Sequence, residues 1–188
     1  MMFAPPRIIG GAWRGRKLAV PEGRDTRPTN ARARQAAFDM LLHAPWAGHE
    51  FVQGAKVLDV FAGTGAFGLE ALSRGAVVAG FIENARPALA ALRENIASCK
   101  AEPQSRVHAV NALSPPPGSP YDLVFFDPPY GQNLLPSALS ALYLRGWIAA
   151  EALIAAEIGP EDLAPPGISI LAERVHGKAR LIFWRHPG

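Results

Sequence analysis

The chain has 188 residues, 49% of them hydrophobic and 19% charged, which is enough apolar material for one fully cored domain and too much for extended disorder. Its apolar stretches fall well short of the ~20 residues of a membrane span. The N-terminal "MMFAPPR" lacks the apolar core of a secretory signal, and the lone Cys99 excludes a disulfide framework or a cysteine zinc cluster, so a reducing, cytoplasmic setting is expected.

The net charge of +3 is unevenly placed. Arg7, Arg14, Arg16, Lys17, Arg24, Arg27, Arg32 and Arg34 face only Glu22 and Asp25 between residues 7 and 34, an excess of six positive charges. A basic head on a mildly acidic body is either a surface for a polyanion or a solvated face. The organisation expected is a basic hairpin and helix over residues 1–50, packed on a main domain over 51–188. "RIIGGAWRGRKLAVP" reads as a hairpin of two short strands, Arg7–Ile9 and Lys17–Val20, around a Gly- and Arg-rich turn. Trp13 in that turn is either a stacking platform for a base or a ring folded back on the hairpin. A helix follows from about Asn30 to His43 with Thr29 as N-cap, and Phe38, Leu41 and Leu42 form its docking face.

From Lys56 the pattern alternates. "KVLDVF", "VVAGFIE", "RVHAVN", "YDLVFFD" and "ALIAAEI" read as buried strands, separated by helices at "AFGLEALSR", "PALAALRENIAS" and "LPSALSALYL". "ISILAERV" and "ARLIFWR" read as a closing antiparallel pair. Near-continuous apolar strands alternating with helices predict an α/β fold: a mostly parallel, Rossmann-like seven-stranded sheet covered on both faces. In such sheets ligands bind at the carboxyl ends of the strands, which puts Asp59–Gly65, Glu83, Asn111 and Asp127–Tyr130 on one rim.

"FAGTGAFG" (61–68) matches G-x-G-x-x-G through Gly63, Gly65 and Gly68 between a strand and a helix, so a nucleotide is expected there, although purely structural glycines give the same pattern. Asp59 discriminates between nucleotides. A carboxylate ~5 Å from a pyrophosphate, at an effective dielectric of ~20, is repelled by about 3 kcal/mol per charge pair. S-adenosylmethionine carries no phosphate, and its ammonium and sulfonium are attracted instead. Asp59 can also, alone or besides this, cap backbone amides of the loop. Glu83 suits the two ribose hydroxyls. Asn111 and the Ala112 backbone suit an adenine edge. Phe61, Gly63, Thr64, Gly65 and Asn84 complete the turn's expected contacts.

"FFDPPYG" narrows the chemistry. Two prolines end a strand sharply, but one would serve for that. An exocyclic amine on a base is a poor nucleophile, because its lone pair is delocalised into the ring. Asp127 and the Pro128 carbonyl each accept one N–H, turning the lone pair toward a methyl donor; Pro129 stiffens the turn, and Tyr130 stacks on the base. Asp127 or solvent then takes the proton.

"DPPY" after the fourth strand, with "LDVFAGTGAFGLEALSRGA" upstream, resembles the amino-methyltransferase branch of class I S-adenosylmethionine enzymes. With "RIIGGAWRGRKLAVP" and "TRPTNARARQAAFDML" added, the chain from Arg7 to Arg185 resembles the RsmD family of bacterial 16S rRNA guanine-N2 methyltransferases. The resemblance implies methylation of one guanine N2 in small-subunit rRNA, on a partly assembled subunit. It also implies that Arg27, Pro28 and Thr29 lie beside the cofactor and target base. Two features depart from the family: the proline-rich "SPPPGSP" (114–120) where many relatives carry a short helix, and the unmatched "MMFAPP" start. The RNA-contacting set expected is Arg7, Trp13, Arg14, Arg16, Lys17, Arg27, Arg32 and Lys178, on a monomer. A DNA adenine-N6 methyltransferase shares the same turn, but no target-recognition region is evident beyond the head. A nicotinamide-dependent oxidoreductase is disfavoured by Asp59 and by the lack of a hydride-transfer acid. A noncatalytic assembly factor is disfavoured by the intact Asp127–Tyr130. His43, His49, His108, His176 and His186 lack ligand spacing, so no metal is expected.

Overall fold

The computed structural model describes residues 5–21, 28–48 and 50–187, the side chains of 28–30 and 176 excepted. Seven strands form one sheet: β1 (Lys56–Val60), β2 (Val78–Ile82), β3 (Ser105–His108), β4 (Tyr121–Phe126), β5 (Ile148–Ile158), β6 (Ile170–His176) and β7 (Ala179–Arg185). Their order is β3-β2-β1-β4-β5-β7-β6, parallel from β3 to β5. β7 is antiparallel to both of its neighbours. The helices are α1 (Pro28–His43), α2 (Ala66–Ser73), α3 (Arg86–Cys99) and α4 (Leu135–Leu144).

Strand periodicity assigns the helices to the faces, since alternate residues point to opposite sides. Val57, Ala79, Phe81, Leu123, Phe125, Leu153, Ala155 and Phe183 face α1, α2 and α3, where Phe38, Leu41, Leu69, Leu89, Leu92 and Ile96 meet them. Ile8 and Leu18 of the head join this same core. Leu58, Val60, Val124, Phe126, Ile154, Ala156 and Trp184 face α4 on the other side. There the proline-rich loop stands where a further helix is absent. Trp147 donates its indole N–H to the Pro116 carbonyl (2.8 Å) and stacks on Tyr121, while His108 meets it edge-on. Gly118 lies so close to this indole that a Cβ would come within 2.3 Å of it. Rings and prolines thus cover the face between β3 and β4 without a helix.

Three expectations need correction. α1 begins at Pro28, so Thr29 lies inside the first turn rather than at the N-cap. Proline suits the first helical position, where its missing N–H is no loss. The head's two strands reduce to one antiparallel bridge, Arg7–Lys17, around a 3₁₀ turn at Gly11–Trp13. The amides of Ile9 and Gly10 donate to the Glu70 carboxylate instead of across the hairpin (2.7 and 2.8 Å). β3 ends at His108, so Asn111 lies in the loop beyond it.

Candidate functional site

β1 and β4 are adjacent, while the chain runs outward from β1 to β2 and β3 on one side and from β4 to β5 on the other. The crevice at such a switch point is where ligands bind in open α/β sheets. The two motif turns leave the sheet there, and the Asp127 amide donates to the Val60 carbonyl (3.3 Å), tying one to the other.

The first turn is built from backbone conformations that side chains resist. Phe61 has φ +61°, a left-handed geometry rare for a bulky residue, and Gly63 and Gly65 follow at +54° and +78°. Glu83, at the end of β2, holds this turn open. One carboxylate oxygen accepts from the Gly63 amide (2.8 Å), and the other accepts from Asn84 and Ala85 (both 2.8 Å). The Thr64 carbonyl accepts from Asn95 of α3 (3.0 Å). A Cβ built on Gly63 would meet no protein atom within 4 Å, so the turn faces open space at that residue. On Gly65 a Cβ would strike Leu92, and on Gly68 the Phe81 ring. The three glycines of the motif therefore divide between an open cradle and close packing.

Asp59 takes the capping role. It is 1% exposed and accepts from the Gly68 amide at the start of α2 (2.9 Å). Burial pushes its carboxyl up to about 7, opposed by the Gly68 hydrogen bond and by Arg34. Asn111 accepts from the Leu113 amide (2.9 Å) and so braces its own loop, with Ala112 buried beside it. Around the cradle, the Glu83 carboxylate and a Gly63 that leaves room suit the ribose end of a nucleoside.

In the second turn Asp127 and Tyr130 are half-buried, Pro128 is buried and Pro129 exposed. The Tyr130 hydroxyl donates to Glu157, a carboxylate 2% exposed at the end of β5. A cleft of about 470 Å³ opens beside Tyr130, lined also by Gly131, Pro160, Glu161, Gly177 and Lys178. The turn between β6 and β7 thus carries Lys178, a member of the expected RNA-contacting set, to the cleft beside the Asp127–Tyr130 turn.

The head's basic side chains separate into two kinds. Arg7, Arg14, Arg16, Lys17 and Arg32 are exposed. Arg34 is 1% exposed, donates to the Arg7 carbonyl (2.7 Å) and faces Glu70 at 3.7 Å. Burial lowers its pKa, against the pull of Glu70. Trp13 is half-buried and packs against the core, with its amide on Ser73 Oγ (2.9 Å). Ser73 ends α2, about 10 Å of helix away from the glycine turn. Asn95, 1% exposed, grips both the N–H and the C=O of Ala19 (2.6 and 3.0 Å). Arg27 and the side chain of Thr29 lie outside the described residues.

Glu70, Asn95, Glu157 and Asp162 escaped the reading of the sequence. A charged residue inside an apolar run is the available signal: "GLEAL" for Glu70 and "ALIAAEI" for Glu157. Asn95 and Asp162 sit among polar neighbours and give none. Among the described residues no group of His, Cys, Asp and Glu could hold a metal ion, and no helix is long and apolar enough to cross a membrane.

The geometry agrees with what the chain is similar to. The family described as Conserved hypothetical protein 95 matches residues 6–185. The ribosomal RNA small subunit methyltransferase D of Escherichia coli K12 is 43% identical over 177 residues, 92% of this chain and 85% of that protein. The protein of the same name from Haemophilus influenzae is 33% identical, over 91% and 89%. The solved structure of yhhF from Escherichia coli matches with a TM-score of 0.83 at 40% identity, covering 98% of this chain and 99% of that one. With both motif turns at one switch point and these likenesses over nearly its whole length, the chain belongs to the Conserved hypothetical protein 95 family, that of the ribosomal RNA small subunit methyltransferase D proteins.

Proposed function

We propose that this protein methylates small-subunit ribosomal RNA, transferring a methyl group from S-adenosylmethionine to the exocyclic N2 of one guanine in 16S rRNA. The observation that carries the reading is the juxtaposition at the switch point. An Asp-Pro-Pro-Tyr turn and a glycine cradle flanked by Asp59 and Glu83 leave neighbouring strands and are tied by the Asp127–Val60 hydrogen bond.

Bound in the cradle, S-adenosylmethionine supplies a methyl group activated by its sulfonium. Glu83 holds the ribose hydroxyls, and the buried Asp59 ionises more readily beside a cationic ligand than beside a pyrophosphate. Asp127 and the Pro128 carbonyl accept the two N–H bonds of the amine, so that its lone pair faces the methyl carbon. Nitrogen forms the new bond as the sulfur–methyl bond breaks, and the amine loses a proton to Asp127 or water. Tyr130 stacks on the base, a contact worth ~1–3 kcal/mol at comparable sites. The exposed Arg7, Arg14, Arg16, Lys17 and Arg32 hold the RNA backbone by charge.

The test supplies labelled S-adenosylmethionine with naked 16S rRNA, small subunits, assembly intermediates or duplex DNA. Transfer to guanine N2 in an RNA arm is expected. Transfer to DNA alone, or to no RNA, refutes the proposal. Asp127→Ala should lower transfer at least ~100-fold while cofactor affinity stays within about threefold. A variant that transfers normally removes Asp127 from the reaction.

A further inference from the structure

The segment after the catalytic turn is held by a residue far along the chain. Asp162 is 5% exposed, in the loop that follows β5. One of its oxygens accepts from the amides of Gly131 and Gly159, both at 3.1 Å. The other accepts from the Asn133 amide at 3.0 Å. Asn133 answers by accepting from the Leu163 amide (3.2 Å). The segment so gripped is one that needs holding, because Gly131 and Asn133 have φ of +73° and +48°. A non-glycine residue keeps that conformation only where its surroundings over-determine it. Hydrogen bonds from amides to a carboxylate are of the stronger, charge-assisted kind.

Gly159 is the meeting point. A Cβ there would lie 2.7 Å from Asp162 Oδ2 and 3.1 Å from Tyr130 Cβ. On the other side of Tyr130, its hydroxyl is fixed by Glu157. The exit of β5 therefore grips Tyr130 at the phenol and grips the backbone that immediately follows it.

Resting on the reading of Asp127–Tyr130 as the methyl-accepting turn, we infer that Asp162 is a positioning residue for methyl transfer: its buried carboxylate clamps Gly131–Asn133 and so fixes the Tyr130 ring against the acceptor base. It touches neither cofactor nor base in this role. Its loss loosens the acceptor side while the glycine cradle, built by β1, β2 and α3, is untouched.

The test uses the full chain with Asp162→Asn, which keeps the shape but turns one acceptor into a donor facing an amide. Gly159→Ala is the second variant, wedging Asp162 away from Tyr130. Hydrogen exchange at the Gly131, Asn133 and Gly159 amides should quicken at least ~10-fold in Asp162→Asn, as expected for losing charge-assisted bonds. In both variants kcat should fall ~10–100-fold, the scale of an ångström-sized misplacement, with cofactor Kd within about twofold. Unchanged exchange, or quicker exchange with kcat intact, overturns the inference. Parallel losses of kcat, cofactor affinity and thermal stability also overturn it, since they mark general destabilisation. If the wild-type chain methylates no RNA, the proposed function has failed by itself, and the exchange rates still decide whether Asp162 holds the turn.

Discussion

Replacing Gly63 and Gly68 one at a time with alanine separates the two uses of glycine in the first motif. At Gly68, in the first turns of α2, the added methyl would lie 2.4 Å from Cε1 and 2.8 Å from Cζ of Phe81. That ring is fully buried, with its neighbours packed around it, so it must shift by about 1 Å to restore ordinary contact. Overpacking of this kind costs about 1–3 kcal/mol, against roughly 0.5–1 kcal/mol gained by putting alanine in a helix. The net loss, about 1–2 kcal/mol, lowers Tm by roughly 2–8 °C in a chain of this size. At Gly63 no protein atom opposes the methyl, but φ is +54°, which costs an L-residue about 1–2 kcal/mol. The methyl there projects into the cradle, so S-adenosylmethionine affinity should fall ~10–100-fold, whereas Gly68→Ala should change it only a few-fold. Thermal unfolding with and without cofactor, alongside titration calorimetry, reads both quantities. A Gly68→Ala protein as stable as wild type refutes the packing argument. A Gly63→Ala protein with wild-type affinity shows that the nucleoside does not lie over that turn.

Three further outcomes are expected. The folded-state pKa of Asp59, about 7, lies above its ordinary 3.8, so the folded chain binds this proton more tightly and stability falls as pH rises through that interval. The difference corresponds to about 4 kcal/mol between protonation states. Asp59→Asn should therefore gain stability relative to wild type between about pH 4 and 7; urea unfolding across that range checks it, and a flat difference refutes it. Glu70→Ala leaves Arg34 buried without its carboxylate and the Ile9 and Gly10 amides without an acceptor, for a loss of about 3–5 kcal/mol in urea unfolding. A loss under about 1 kcal/mol would show that the head is not pinned there. Neutralising Arg14, Arg16 and Lys17 together should weaken RNA binding and reduce the slope of log K against log salt by about 2. An unchanged slope returns the head to the status of a solvated face.

The strands, the helices and both motif turns were legible because each is written locally, as apolar periodicity followed by glycine or proline. The rim followed from them, since parallel strands deliver their carboxyl ends to one edge. What stayed hidden is the set of buried polar groups that lock one segment to another. Arg34 looks like one more charge of a basic head, yet it is spent on Glu70. Asp59 carries two compatible readings, and the structure shows the capping one, because its face of β1 looks at α2. Asp162 reads as an ordinary loop acid; two of its three amide partners, Gly131 and Asn133, belong to a turn about thirty residues away in sequence. Such roles depend on which segments meet, and pattern along the chain carries no record of that. Thr29 was misplaced for a nearer reason, the proline before it opening the helix earlier.

The position of β7 has a consequence for the order in which the molecule is assembled. The last strand in sequence is an interior one: it lies between β5 and β6, with Leu181 and Phe183 buried on one face and Ile182 and Trp184 on the other. While synthesis has not reached residue 179, β5 presents a bare edge and β6 has no neighbour in the sheet. Both cores lack their final layer until then. An incomplete nascent chain therefore exposes apolar strand edge, the kind of surface that misassembles or is held by chaperones. Completion of the β6–β7 hairpin is the step that seals the sheet, and the same step brings Lys178 to the cleft beside Tyr130. A chain cut before residue 177 accordingly lacks both the inner strand of the sheet and one wall of the cleft beside Tyr130.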